Sequence, residues 1–201
     1  MGDDSGVALY RDVISALATL GKQDCDVIVM LGNRDFLLGE EFAKATGATL
    51  IRDDELIVHI DGEPVLLMHG DTLCIDDTEY QRFRQQVRDP QWQQSFLNKP
   101  VEQRIAFANQ LRDQSRELSS SKSADIMDVN VDAVRSRLAA HNCQTLIHGH
   151  THKPSVHLEE IPQSKRFVVG DWHATHAQFV LKDNTGFNLK TWGQKDVGSG
   201  L

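Results

Sequence analysis

Apolar residues recur at helical spacing in three stretches of the chain. Val7–Leu20 has an apolar side chain at every third or fourth position and is followed by Gly21, which predicts an amphipathic helix with a glycine stop. Phe36–Ala48 also has a helical pattern, with Gly47 near its end. Val131–Ala140 predicts another short helix.

Continuous or alternating apolar runs predict the strands. Val27–Leu31 is an apolar, β-branched run typical of a buried strand. Leu56–Ile60 and Val65–Met68 flank an Asp-Gly pair, which predicts a β-hairpin because Asp-Gly readily adopts positive φ. Thr145–Ile147 predicts a further strand. Four short strands are then predicted to close a sheet, at Val156–Leu158, Phe167–Val169, Gln178–Leu181 and Phe187–Trp192.

The strand pattern disappears between Asp76 and about Val131. Polar, Arg-rich helical stretches replace it, broken by Pro90, Pro100 and a serine run. We therefore predict an inserted helical segment, residues 76–130, within a single α/β domain that spans residues 1–201.

Composition and charge exclude several classes of protein. The formal net charge of −8 argues against sequence-independent binding of nucleic acid. The three cysteines lie far apart, which favours neither a disulfide framework nor a thiolate zinc site. The chain has no signal-peptide pattern at its start and no long apolar run, so we expect a soluble or peripheral protein in a reducing compartment.

Three of the predicted strands end at asparagine or histidine next to a glycine. Asn33 follows the first strand, His69 follows the hairpin, and His150 and His152 follow Thr145–Ile147. Sheets commonly present ligands in the loops at their strand ends. Imidazole nitrogens and an amide oxygen suit Mn²⁺, Fe²⁺ or Zn²⁺. The sequence therefore predicts a metal site formed by these four residues.

Three segments resemble the last three motifs of the calcineurin-like phosphoesterases and follow one another in the same order along the chain. They are residues 32–35, 69–71 and 149–152. The resemblance implies a metallophosphoesterase sandwich of β-sheets flanked by helices, and two metal ions about 4 Å apart that activate a hydroxide for attack on phosphorus. It also implies that Asn33, His69 and His150 bind one metal and His152 the other, and that His150 is catalytic.

A closer resemblance, to the UDP-2,3-diacylglucosamine pyrophosphatases of lipid A biosynthesis, covers nearly the whole chain and is carried by residues 32–39, 68–74, 120–123, 126–130 and 147–152. It implies Mn²⁺-dependent hydrolysis of UDP-2,3-diacylglucosamine to UMP and 2,3-diacylglucosamine 1-phosphate. It also implies a helical lid and peripheral contact with the cytoplasmic face of the bacterial inner membrane, with no protein partner. The substrate-site residues that it implies are Asn33, Arg34, Asp77, Ser115, Ser119, Lys122 and His150.

The first two motifs of the superfamily, an Asp-x-His after an amino-terminal strand and a Gly-Asp at the end of the next strand, have no match in that part of the sequence. Gly2-Asp3-Asp4 resembles a segment just downstream of the second motif, so about 50 amino-terminal residues of the family pattern are expected to be missing. We expect this polypeptide alone to be inactive or weakly active. A metallophosphoesterase of broader specificity and a non-catalytic binding fragment stay open as alternatives.

Other candidate residues have simpler interpretations. Asp35 and Asp71 follow ligand motifs and either orient a ligand or close a turn. Trp92 and Phe96 either receive acyl chains or form a helical core. Five further histidines are interpreted as packing, orienting or solvated groups, and these are His59, His141, His148, His157 and His176.

Overall fold

The computed structural model describes residues 2–3, 10–121, 126–158 and 161–193. Side chains are described for all of these residues except 114–121. The described residues contain six α-helices and nine strands. They divide into two units, one of residues 1–54 and 74–127 and the other of residues 55–73 and 128–201. No helix of the described part of the chain is long and apolar enough to cross a membrane.

The first unit begins with two helices and two parallel strands. These elements are α1 (Arg11–Gly21), β1 (Ile28–Met30), α2 (Glu40–Thr46) and β2 (Thr49–Ile51). Ile14, Phe42 and Ala48 are buried together. The pattern of apolar positions on the two helices therefore forms a small core against the strand pair.

The helical content of the inserted segment is confirmed. It contains α3 (Thr78–Arg88), α4 (Pro90–Leu97) and α5 (Val101–Ser121). Asp89 caps α4 by accepting a hydrogen bond from Trp92 N at 2.9 Å, and Pro90 fits the first helical position because its missing N–H is not needed there. The function of the segment as a lid stays a prediction.

The predicted start of the second helix was wrong. Residues 36–39 are not helical, and α2 begins at Glu40, because Gly39 adopts an extended conformation. Asp3 accepts hydrogen bonds from the N–H groups of Gly39 (2.7 Å) and Glu41 (3.0 Å), which stabilises this start. At the other end, Gly47 has φ of +72° and ends α2 as predicted.

Helix α1 ends at Gly21, as the predicted glycine stop indicates. Gly21 is its last helical residue, and Lys22, which follows it, keeps a right-handed conformation. The glycine therefore does not act as a left-handed cap. The predicted beginning of this helix, at residues 7–9, lies outside the described residues.

The second unit is built on a five-stranded sheet of order β3-β4-β5-β7-β6. Its strands are β3 (Glu55–Ile60), β4 (Glu63–Met68), β5 (Thr145–His148), β6 (Ser155–Leu158) and β7 (Lys165–Val168). The predicted hairpin is confirmed, since Asp61 and Gly62 join β3 to β4 with φ of +54° and +84°. Strands β4, β5 and β7 are parallel, so their carboxyl ends share one edge.

A helix and a hairpin complete the second unit. Helix α6 (Val131–Ala140) is capped by Asn130, whose side chain accepts hydrogen bonds from Asp132 N and Ala133 N. Strands β8 (His176–Asp183) and β9 (Gly186–Gly193) pair with each other in a separate antiparallel sheet. The last two predicted strands therefore exist but do not join the main sheet.

Candidate metal centre

His69 and His150 lie side by side at the carboxyl edge of the main sheet. The preceding strands, β4 and β5, are parallel neighbours in which Met68 is opposite His148. The Gly149 N–H donates to His69 O at 3.0 Å and extends this pairing by one step. The two imidazole rings meet edge to face with centroids 5.1 Å apart. The structure thus brings together two of the four predicted ligands.

The His150-Thr151-His152 turn has a backbone conformation that side chains rarely adopt. His150 has φ of +68° and His152 has φ of +54°. The Thr151 N–H donates to Gly149 O at 2.9 Å, so His150 is the central residue of a γ-turn with positive φ. Such conformations cost free energy and are concentrated at functional sites. The turn projects His150 and His152 from one strand end despite that cost.

Gly70 leaves room for the histidine edge, which is the name we give to His69, His150 and His152 at the ends of β4 and β5. It has φ of +109°, and a Cβ atom built on it would lie 2.9 Å from His148 Nδ1 and 3.0 Å from Gly149 O. Real Cβ atoms essentially never make the first contact, and the second is tighter than most of their contacts. Glycine is therefore required at this position by both backbone conformation and space.

His148 supports the histidine edge by a hydrogen bond to the backbone of Gly149. Its side chain is fully buried, Nδ1 donates to Gly149 O at 2.9 Å, and Nε2 accepts from Arg166 Nη1 at 3.2 Å. Burial lowers the pKa of His148 to about 4, because a charged imidazole loses its hydration there and faces the Arg166 guanidinium. His148 is thus a neutral, orienting group, in agreement with its interpretation from sequence.

A second group of ligand-type side chains lies next to His152. Asp171 Oδ2 is 3.7 Å from His152 Nδ1 and 2.6 Å from His173 Nε2. His173 and His176 stack with ring centroids 4.5 Å apart. The hydrogen bond from His173 is the main cause that lowers the pKa of Asp171. Asp171 and His173 were not among the residues predicted from the sequence, although an Asp-x-His follows a predicted strand there.

Asn33 and Arg34 belong to the first unit, in the loop after β1. Asp35 closes this loop by accepting a hydrogen bond from the Gly32 N–H. Arg88 of α3 donates to Gly32 O at 3.1 Å. The loop is therefore anchored from both sides, and Asp35 serves as a turn-closing residue. The roles of Asn33 and Arg34 as metal and substrate ligands stay predictions.

The other predicted substrate residues are in the inserted segment. Asp77 caps α3 by accepting a hydrogen bond from Tyr80 N at 3.1 Å. Ser115 and Ser119 lie on α5, where side chains are not described, and Lys122 lies outside the described residues. Their roles in substrate binding stay predictions.

The histidine edge has the donor chemistry of a transition-metal site. His69 and His150 offer two imidazoles at one strand edge, and His152 adds a third on the same turn. Imidazole nitrogens are good ligands for Mn²⁺, Fe²⁺ and Zn²⁺. Divalent metal ions therefore fit the residues present.

The calcineurin-like phosphoesterase family matches residues 1–154 of the chain. The chain belongs to this family. It is 42% identical to a UDP-2,3-diacylglucosamine hydrolase of Edwardsiella ictaluri, over 94% of the chain and 73% of that protein. It is 47% identical to the hydrolases of the same name from Chromohalobacter salexigens (86% of the chain, 70% of that protein) and Aromatoleum aromaticum (92% and 76%).

Proposed function

We propose that this chain acts in hydrolysis of the pyrophosphate bond of UDP-2,3-diacylglucosamine, giving UMP and 2,3-diacylglucosamine 1-phosphate. The relatives carry the name of this activity at 42–47% identity over most of the chain. The observation that carries the proposal is the His69–His150 pair at the end of two parallel strands, next to a strained His-Thr-His turn. This arrangement supports a metal-dependent phosphoesterase rather than a purely structural sheet edge.

In the proposed site, His69, His150 and His152 hold divalent metal, with Mn²⁺ as the cofactor. Bound divalent ions neutralise phosphate charge and supply a strong nucleophile from water at neutral pH. His148 holds the backbone beneath them through Gly149 O, and Gly70 leaves the space that this contact needs. The proposed location is peripheral to the cytoplasmic face of the bacterial inner membrane.

The substrate residues in this proposal rest on the motif resemblance. Arg34 and Lys122 are the natural partners of phosphate oxygens, because both side chains carry a fixed positive charge. Asn33, Asp77, Ser115, Ser119 and His150 complete the proposed set. Asp77 also caps a helix, so its replacement would change stability as well as binding.

The test is Mn²⁺-dependent release of UMP from UDP-2,3-diacylglucosamine by the 201-residue chain and by two matched variants. His69→Ala is expected to lower release by at least about 10-fold, since loss of a ligand should cost no less than loss of an orienting group. His59→Ala, an exposed histidine of β3, is expected to release UMP like the unmodified chain. Equal and measurable rates of Mn²⁺-dependent release for all three proteins would contradict the proposal.

Two other outcomes point to the alternatives. Equal turnover of UDP-2,3-diacylglucosamine and a small soluble phosphodiester would indicate a metallophosphoesterase of broader specificity. Binding of the substrate without turnover, unchanged by chelator, would indicate a non-catalytic binding fragment. Low but Mn²⁺-dependent turnover that His69→Ala abolishes would support the proposed reaction.

A further inference from the structure

The loop between β7 and β8 gathers three ligand-type side chains outside the histidine edge. One oxygen of Asp171 and one nitrogen each of His173 and His176 all lie within 4.8 Å of one another. Two imidazoles and one carboxylate are a common ligand set of zinc, with an open fourth position for water or another side chain. The chemical composition of this group is therefore that of a metal site.

The backbone of this loop holds the three residues in place. The His173 N–H donates to His176 O at 2.8 Å, which closes the turn. Trp172 forms a bridge with Ala177 on β8, and the Gly170 N–H donates to Gln178 O at 3.3 Å. His176 is itself the first residue of β8. The ligands are thus mounted on a hairpin end rather than on a free loop.

The group is accessible and charged in a way that suits a cation. The side chain of Asp171 is 37% exposed and that of His173 is 54% exposed, so an ion can enter without opening the fold. The Asp171 carboxylate supplies the negative charge, and its Oδ2 lies 2.6 Å from His173 Nε2. An exposed ion pair of this kind contributes little to the stability of the fold. The group is therefore better explained by what it can bind than by a structural role.

We propose that Asp171, His173 and His176 bind one divalent transition-metal ion, with preference for Zn²⁺ over Mn²⁺. His152 Nδ1 lies 3.7 Å from Asp171 Oδ2, so this group is next to the histidine edge but separate from it in its ligands. The preference for Zn²⁺ follows from the general order of divalent-metal affinities at nitrogen and oxygen ligands. This proposal stands independently of the proposed hydrolase activity, because it concerns metal binding alone.

The test is equilibrium titration of the full chain with Zn²⁺ against a chromophoric chelator, which gives stoichiometry and affinity. The double variant Asp171→Asn/His176→Gln keeps side-chain size and removes two ligands. It is expected to bind one Zn²⁺ fewer than the unmodified chain, or to bind that ion at least about 100-fold more weakly. His59→Gln, with an exposed histidine of β3, is the matched control and should keep the full stoichiometry.

A second set of variants distinguishes Zn²⁺ binding at this site from Zn²⁺ binding at the histidine edge. His69→Ala/His150→Ala is expected to retain one Zn²⁺, and adding Asp171→Asn/His176→Gln to it should remove that ion. Far-UV circular dichroism checks that each variant is folded. Unchanged stoichiometry, with affinity within about threefold after loss of Asp171 and His176, would reduce the group to a surface ion pair and overturn the proposal.

Discussion

Gly70 is the residue whose replacement tests how closely the histidine edge is packed. Gly70→Ala would place a Cβ atom 2.9 Å from His148 Nδ1, at φ of +109°. Gly186→Ala is a matched control, since Gly186 has φ of +113° and nothing within 4 Å of its virtual Cβ. Both variants pay roughly 1–3 kcal/mol for the unfavourable φ. We expect Gly70→Ala to lose a further ~1–3 kcal/mol through the clash.

The measurement is urea unfolding of both glycine variants in chelator, so that metal binding does not contribute. A larger loss for Gly70→Ala than for Gly186→Ala is the expected result. Equal losses would show that the edge relaxes around an added methyl group, which would contradict the close packing of Gly70 against His148.

His148 predicts a specific loss of stability at acidic pH. Its folded-state pKa of about 4 lies below the ordinary value of 6.5, mainly because of burial. As pH falls, the unfolded chain therefore binds this proton first. The stabilisation that depends on neutral His148 is complete above about pH 6.5 and is lost between there and pH 4.

From pH 7 to pH 5 this effect amounts to about 2 kcal/mol of unfolding free energy. Urea unfolding in chelator at the two pH values would measure it. His148→Gln should be less stable than the unmodified chain at pH 7, because a buried hydrogen-bond network is changed. It should lose less unfolding free energy on acidification. The exposed His59→Gln variant should keep the full loss; an identical pH slope in both variants would contradict the assignment.

At the scale of elements, the packing of the aromatic residues in the inserted segment distinguishes a helical core from a pocket for acyl chains. Phe96 is 5% exposed and packs against Trp92 (centroids 5.0 Å apart) and Phe107 (5.3 Å). The neighbouring Leu97 is 40% exposed. These contacts favour the core interpretation for Phe96.

We expect Phe96→Ala to lower the unfolding free energy by about 3 kcal/mol, and Leu97→Ala by less than about 1 kcal/mol. Urea unfolding measures both changes. Activity supplies the second readout, because a core residue should affect a diacylated substrate and a short phosphodiester equally. Selective loss of the diacylated substrate, with stability unchanged, would return Phe96 to the acyl pocket.

Elements with strong local signals were predictable, and those that depend on distant contacts were not. The β3–β4 hairpin follows from its alternating pattern and Asp61-Gly62 turn. Strand β2 was missed because its three residues are too few to show a period, and it forms only by pairing with β1. The predicted start of α2 was four residues early, because the apolar pattern continues through a non-helical turn before Gly39.

At the scale of the whole molecule, the histidine edge was predictable because each ligand ends an apolar strand. His69 and His150 come together simply because β4 and β5 are parallel neighbours. The Asp171 group was not predictable in this way. His176 reaches Asp171 only through the return of the chain into β8, so a sequence pattern interpreted strand by strand treats it as an ordinary packing residue.

Metal binding should also stabilise the folded chain as a whole, because the unfolded chain has no preformed ligand cluster. A single site at 100 times its dissociation constant adds about 2.7 kcal/mol, which for a chain of this length raises the apparent Tm by roughly 5–10 °C. Mn²⁺ is expected to give such a shift in thermal unfolding, and Ca²⁺ is not, because Ca²⁺ prefers oxygen ligands. His69→Ala should reduce the Mn²⁺ shift, whereas His59→Ala should keep it. An equal shift with Ca²⁺ would mean that carboxylates, rather than the histidine edge, dominate the binding of divalent ions.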